Sequence, residues 1–292
     1  MYELIALSEH DYYIDCPAKI GLVLTGFGNV VAIDSGSDKD AAKKVLRHID
    51  ANGWHLSAVL VTHSHADHIG GCKLMQDRTG CHVYAPGLEA AYTSHPELEA
   101  MTLWGGMPFK DLKSKFLMAQ PCHAEPLTAD VLPEGMEMLP LAGHCFDMVG
   151  FRTADGNVFL ADCLSSEETL QKYGIGYLWN PGAYLATLEQ VKTMQAAKFI
   201  PAHAQVTEDI APLAQRNIDA VNGTVQKLLD ILAQPVSFED ALQQLFDAYG
   251  LTMNAQQYAL IGSTLRSFLS WLHGEGKAVF TFENNRMLWS AV

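Results

Sequence analysis

The 292-residue chain is poor in basic side chains: 19 Lys and Arg stand against 33 Asp and Glu, a formal net charge of −14. A field of that sign slows polyanions and leaves no broad footprint for nucleic acid, although it is compatible with a local basic groove. No run reaches the roughly 18 apolar residues of a membrane span, so no membrane association is expected. Glu3, Glu9, Asp11 and Asp15 interrupt the N-terminal stretch before a signal-peptide core can form. The six cysteines, at positions 16, 72, 81, 122, 145 and 163, include no CxxC pair. They read as reduced packing thiols, and the expected compartment is the cytoplasm. GxSxG and Walker patterns are also missing, which removes the nucleophilic-serine and P-loop chemistries. No internal repeat or low-complexity tract is present. What remains is an ordinary globular composition, 49% hydrophobic and 18% charged. Its length suits one large domain and a small one.

Hydrophobic periodicity organises the chain. A β-rich run over 28–34 ends in the acidic turn Asp34-Ser35-Gly36. Residues 40–52 place Ala41, Val45, Leu46 and Ile49 on one helical stripe, with Gly53 as the stop. A buried strand over 57–62 empties into His63, a helix is expected over 69–79, and a strand follows at 81–85. This β-α-β-α-β alternation predicts a sheet covered by helices. Residues 94–130 hold Pro96, Gly105, Gly106, Pro108, Pro121 and Pro126, and are expected to be an irregular insertion. Strands are expected at 136–142, 149–153, 157–161 and 198–201, with a helix near 183–197. After about residue 205 the pattern becomes three long amphipathic helices, 211–233, 237–249 and 254–273, the last two capped by Ser237 and Asn254. A hairpin over 278–290 follows. The domains expected are 1–205 and 206–292.

The chemistry concentrates in His63-Ser64-His65-Ala66-Asp67-His68, where a buried strand runs into a loop. Imidazole nitrogen and carboxylate oxygen are natural ligands of zinc and related divalent ions. Four donors within six residues are too closely tethered to surround one ion. The easier geometry gives His63 and His65 to one metal, and Asp67 and His68 to a neighbour. His144, Asp162 and His203 each follow a hydrophobic strand, so their side chains are expected at the same rim of a sheet. Singly, each would more often be an ordinary satisfied polar residue; beside HxHxDH they become ligand candidates.

This order, His63-x-His65-x-Asp67-His68 followed by His144, Asp162 and His203, resembles the metallo-β-lactamase superfamily over residues 20–205, as does the Asp34-Ser35-Gly36 turn. The resemblance implies an αββα sandwich of two mixed sheets with the metals at one edge. It implies that His63, His65 and His144 bind a first metal, that Asp67, His68 and His203 bind a second, and that Asp162 bridges them. Zinc β-lactamases of the superfamily typically carry a cysteine where Asp162 stands, and Cys163 is offset by one. The single-iron sulfur dioxygenases use only the first set. Glyoxalase II, a thioesterase, shares all seven, as do ribonuclease Z and several nucleases. One departure is Ala202-His203-Ala204 in place of the Gly-His-Gly often found there. The three C-terminal helices and hairpin resemble the winged-helix extension of some of these hydrolases, including a group with endoribonuclease activity. That segment holds five basic and nine acidic side chains, so a packing or dimerisation module, and with it a homo-oligomer, is the expectation ahead of a nucleic-acid reader.

The expected function is therefore a hydrolase with two divalent ions, zinc first and iron or manganese next. An activated water would attack a small ester, thioester or lactone while Asp67 orients it. Phosphodiester cleavage, as in an endoribonuclease, is the enzymatic alternative. A binding or regulatory protein stabilised by its metals is the rival from another class. Among the other polar residues, His48, His55, His82 and His273 read as ordinary surface or core groups. His95 and His123 lie in the insertion, and Tyr173, Tyr177, Trp179 and Tyr184 follow Asp162 as candidate pocket walls.

Overall fold

The computed structural model describes residues 2–292. Fourteen strands and ten α-helices form two stacked sheets, with helices on both outer faces, and a small third sheet near the C-terminus. The first sheet runs in spatial order β1 (Glu3–Ala6), β2 (Asp11–Asp15), β3 (Ile20–Gly26), β4 (Asn29–Ile33), β5 (His55–Leu60), β6 (His82–Ala85) and β7 (Glu125–Pro126). It is antiparallel through β4 and parallel beyond it. The second is ordered β11 (Phe199–His203), β10 (Val158–Ser165), β9 (Val149–Arg152), β8 (Glu137–Pro140). Only its β10–β11 pair is parallel. The αββα sandwich of two mixed sheets is thus present.

Alternation along the strands separates the layers, because successive side chains point to opposite faces. Val31 and Ile33 of β4, with Leu60 of β5, face Phe151, Phe159 and Ile200 of the second sheet and fill the space between the sheets. Val30 and Ala32 face outward onto helix α1 (Lys39–Ala51), through Ala42, Val45, Leu46 and Ile49. The start of α1 is fixed by Asp38, whose carboxylate accepts from the amides of Asp40 and Ala41. On the far face of the second sheet, Val158 and Leu160 join an apolar cluster that continues into the C-terminal helices through Leu228, Leu245, Leu265 and Phe268.

Several elements differ from the sequence expectation for identifiable reasons. The helix expected over 69–79 is split into α2 (Ala66–Ile69) and α3 (Cys72–Thr79). Gly70 and Gly71 form the break because the neighbouring chain leaves no room for a side chain. A Cβ on Gly70 would lie 2.2 Å from the Ser37 carbonyl oxygen, and one on Gly71 2.4 Å from that of Ser35. The insertion is less irregular than its prolines suggest: it forms α4 (Glu89–Ser94) at its entry, α5 (Glu97–Trp104) and two short 3-10 turns. Ala100, Leu103, Leu112 and Leu117 of this segment pack on Ala259 and Leu260 of the C-terminal part, which holds its short helices in place. A helix α6 (Glu167–Tyr173) follows β10, and α7 (Pro181–Lys192) ends at Thr193, short of the expected 197. The antiparallel strands β1–β3 were not apparent from periodicity.

From residue 211 the order is α8 (Ala211–Ile231), β12 (Val236–Ser237), α9 (Phe238–Tyr249), α10 (Ala255–Gly274), then the hairpin of β13 (Ala278–Glu283) and β14 (Arg286–Ala291). Ser237 and Asn254 cap α9 and α10 as expected. Strand β12 pairs with β14 to make a three-stranded sheet. Among the described residues no helix is long and apolar enough to cross a membrane.

The Gly70 contact predicts a sensitive point. Gly70→Ala should destabilise the fold by about 1–3 kcal/mol, because a backbone carbonyl cannot move aside as a side-chain tip can. Chemical denaturation checks this, and an unchanged midpoint would mean that the 66–71 loop is not seated as described.

Candidate metal centre

All seven ligand candidates converge, from the loop after β5, the turn after β8, the middle of β10 and the end of β11. They form two groups: His63, His65, His144 and Asp162, and then Asp67, His68 and His203. Within each group one donor atom per residue lies within 4.8 Å of all the others. Asp162 stands between the groups. Its Oδ2 is 3.8 Å from His63 Nε2, 3.6 Å from His144 Nε2 and 3.3 Å from His203 Nε2, while its Oδ1 is 3.1 Å from His68 Nε2. Asp67 Oδ2 lies 3.3 Å from His203 Nε2 and 3.9 Å from His68 Nε2.

Asp162 sits inside β10, rather than beyond its end as the sequence suggested, and the backbone there is distorted. The preceding Ala161 has φ +48°, a left-handed conformation that L-residues seldom adopt, and the register with β11 shifts on either side of it. Such strain persists only where the surroundings fix it, and here it sets the position of the central carboxylate. At Gly143, with φ +122°, a Cβ would meet the Tyr184 nitrogen at 2.3 Å, so only glycine lets the 142–145 turn approach α7 and present His144.

A supporting layer of hydrogen bonds sets the histidine tautomers. His68 Nδ1 donates to Asp34 Oδ2 at 2.7 Å, His144 Nδ1 to the Tyr177 carbonyl at 3.1 Å, and His203 Nδ1 to the Pro17 carbonyl at 2.7 Å. Thr62 gives its hydroxyl proton to Asp34 Oδ2, which leaves its oxygen to accept from His63 Nδ1 at 3.0 Å. With the outer nitrogens as donors, the inner Nε2 of all four rings carries a lone pair in the neutral imidazole. His65 is reversed: its Nδ1 lies 3.1 Å from His63 Nε2 and 3.0 Å from His144 Nε2, and its Nε2 is 3.7 Å from Glu99 Oε1. Asp34 itself has φ +64° and also accepts from the Thr62 amide at 2.8 Å.

Lone pairs that face one another at such distances call for a cation between them. His68 Nε2 and Asp162 Oδ1 are buried and, although 3.1 Å apart, are not aligned as a hydrogen bond, so both are left without a partner. Nitrogen and carboxylate oxygen are also the donors that zinc, iron and manganese accept. The residues therefore fit a pair of divalent ions.

The protonation energetics divide the site. Burial holds His63 and His65 below the usual imidazole range and His144 down at about 4. The Asp162 charge pulls His203 up to about 10. For His68, burial opposes the charged form, but Asp162, Asp34 and Asp67 outweigh it and raise the group well above 6.5. Asp162 and Asp67 resist burial in the same way, each held low by His68 and His203.

Two carboxylates here carried no sequence signal, since each sits in a short helix without a motif. Glu89 is fully buried and accepts from Ser64 N at 2.9 Å, Ser64 Oγ at 2.5 Å and Asp147 N at 3.1 Å, tying the HxHxDH loop to the His144 loop. Glu99, on α5, faces His65, and burial beside Glu89 pushes it up to about 8. Of the aromatic candidates, Tyr177 sets its ring edge-on to His65 and His144, at centroid distances of 5.3 and 5.8 Å. Tyr184 is buried beneath Gly143, Trp179 packs on Phe146, and Tyr173 is largely exposed. His95 pairs at the surface with Glu97, and neither it nor His123 enters the two groups. Cys145 and Cys163 are buried among apolar side chains, which raises both thiols and leaves them as packing groups.

Comparison with known proteins agrees with this geometry. The family model described as the Metallo-beta-lactamase superfamily matches residues 14–203. A hydroxyacylglutathione hydrolase of Methylobacillus flagellatus is 36% identical over 98 residues, 33% of this chain and 35% of that protein. One of Pseudomonas entomophila is 26% identical over 175 residues, 60% of this chain and 54% of that protein. The chain thus spans about a third of the first relative's length and about half of the second's. A crystal structure of a metallo-beta-lactamase family protein of Thermus thermophilus superposes with a TM-score of 0.75 at 19% identity, covering 98% of this chain and all of that one. With a family match across most of its length and this arrangement of histidines and aspartates, the chain belongs to the metallo-beta-lactamase superfamily.

Proposed function

We propose that the protein is a metal-dependent hydrolase with two divalent ions, zinc first and iron or manganese next, acting on a small ester, thioester or lactone. The observation that carries this reading is Asp162, whose carboxylate faces histidines of both donor groups. In this reading His63, His65 and His144 hold one ion, Asp67, His68 and His203 hold the other, and Asp162 touches both. When bound, such ions supply Lewis acidity and a water activated at neutral pH.

The chain's own residues contribute the rest. Asp67 is ionised and its side chain is 43% exposed, so a carboxylate oxygen remains available to orient the attacking water. Asp34 keeps the proton of His68 on Nδ1, away from the centre. Tyr177 walls the side nearest His65 and His144. The exposure of Asp67 and His203 also favours an enzyme over a metal-stabilised binding protein, because structural zinc sites are closed and usually thiolate-rich. Phosphodiester cleavage gains no support from charge, since the chain is net −14. We place the chemistry in residues 1–205 and assign 206–292 to walling the pocket, in a protein of the cytoplasm. The curated relatives named for hydroxyacylglutathione hydrolysis support the thioester class.

Asp162→Ala should lower turnover by about two orders of magnitude or more while leaving the fold largely intact, because it removes the group shared by both ions. Cys163→Ala, whose thiol is buried away from the donors, should be mild. Steady-state kinetics with metal analysis compares them; near-normal turnover in Asp162→Ala would remove Asp162 from the site.

Metal loading should also release protons. In the metal-free protein His68 and His203 are raised and so carry protons at about pH 7.5 that the ions must displace. The sign follows: apparent affinity falls as pH falls, and about two protons leave on loading. Calorimetric zinc titrations in buffers of different ionisation enthalpy measure the number, and a value of zero would contradict this electrostatic picture.

A further inference from the structure

Next to the metal centre, two adjoining cavities lie between the chain after β10 and the C-terminal helices. The first, about 80 Å³, is lined by His144, Tyr177 and, on α10, Phe268. The second, about 230 Å³, shares Leu170, Gly176 and Tyr177 with it and ends at Leu260 and Ile261. Neither is lined by a lysine, arginine, aspartate or glutamate.

Two of the polar side chains in these walls, Asn217 and Thr224, are already engaged, and apart from the titratable His144 the others are uncharged. Asn217 accepts from Ser165 N at 2.9 Å and donates to the Ser165 and Leu213 carbonyls, each at 2.9 Å. The Thr224 hydroxyl is 2.6 Å from the Tyr249 hydroxyl and bonds the Ala220 carbonyl as well. Nearby cations are occupied too: Arg216 pairs with Glu167, and the Lys172 ammonium sits 4.7 Å from the Tyr173 ring centroid. A carboxylate entering here would lose its hydration without meeting a lysine or arginine, which is unfavourable, whereas each buried methylene contributes about 0.8 kcal/mol.

We propose that these cavities receive the acyl tail of the substrate, and that the tail is aliphatic and uncharged. The proposal rests on the hydrolase reading and narrows it. With water occupying about 30 Å³ in the liquid, the larger cavity has room for a tail of roughly six to ten carbons. The substrate class is thus a medium-chain acyl ester, thioester or lactone, held with its carbonyl toward His144 and its tail under α10.

Gly176 allows a clean test. It lines both cavities at their rim, has no φ in the left-handed region, and a Cβ built on it meets no atom within 4 Å. Gly176→Leu should therefore fill the entrance without backbone strain. The substrates are N-acetylcysteamine thioesters carrying an acetyl group, an octanoyl group, or an eight-carbon chain ending in a carboxylate. For the zinc-loaded protein, kcat/KM should rise about tenfold or more from acetyl to octanoyl and fall again for the carboxylate-ended chain. In Gly176→Leu the octanoyl-to-acetyl ratio should collapse toward one. In parallel, calorimetry on the metal-free protein should show octanamide binding that acetamide does not match and that Gly176→Leu removes. Turnover independent of chain length, or a preference for the charged tail, would overturn the assignment. Absence of turnover on every thioester and on the matching octanoyl ester and lactone, with chain-length-dependent octanamide binding retained, would instead sink the hydrolase reading and leave the apolar site standing.

Discussion

The structure depends on one carboxylate placed among imidazoles. Asp162 is largely buried, lies within 3.8 Å of four histidine nitrogens, and has a buried oxygen without a hydrogen-bond partner. In a low-dielectric setting such an arrangement persists only if its lone pairs and charge are compensated. In the metal-free chain, protons on His68 and His203 do this in part. Two divalent ions would do it fully, replacing protons that each serve one neighbour with charges that serve several.

Much of the surrounding architecture keeps that carboxylate and its partners in place. The left-handed Ala161 turns β10 so that Asp162 points into the centre. The glycine pair at 70–71 lets the loop that carries Asp67 and His68 seat against Ser35 and Ser37. Ser35 then fastens the same loop by donating to the His68 carbonyl from both its amide, at 2.7 Å, and its hydroxyl, at 2.8 Å. Glu89 links the first loop to the one bearing His144. These are short-range backbone and carboxylate contacts, and they pre-organise the donors so that binding an ion requires little reordering.

The same division explains what was legible in the sequence. His63, His65, Asp67 and His68 are readable because their spacing is set by the chemistry of coordination, and His144, Asp162 and His203 because each lies soon after a hydrophobic run. Strands β4 and β5 and the apolar stripe on α1 were readable from composition and periodicity, whereas the two-sheet sandwich was implied by the family resemblance. Strands β1–β3 were missed: in β1 and β2 polar and apolar residues mix without a clear period, and β3 is a short apolar run that periodicity alone does not assign. The short helix α5 was hidden by flanking Pro96 and Gly105, which mark its ends rather than its absence. Glu89 and Glu99 could not be found, because a supporting carboxylate is recognised only by what it touches. The apolar cavities were equally invisible: they arise where residues distant in sequence, Gly176 and Leu260 among them, are brought together by folding.

In the proposed mechanism two ions would share Asp162, and anomalous diffraction from crystals of the zinc-loaded protein tests this most directly. Two zinc peaks are expected, one within the His63, His65 and His144 set and one within the Asp67, His68 and His203 set, with Asp162 ligating both. A single peak, or two peaks that leave Asp162 without a metal, would contradict it.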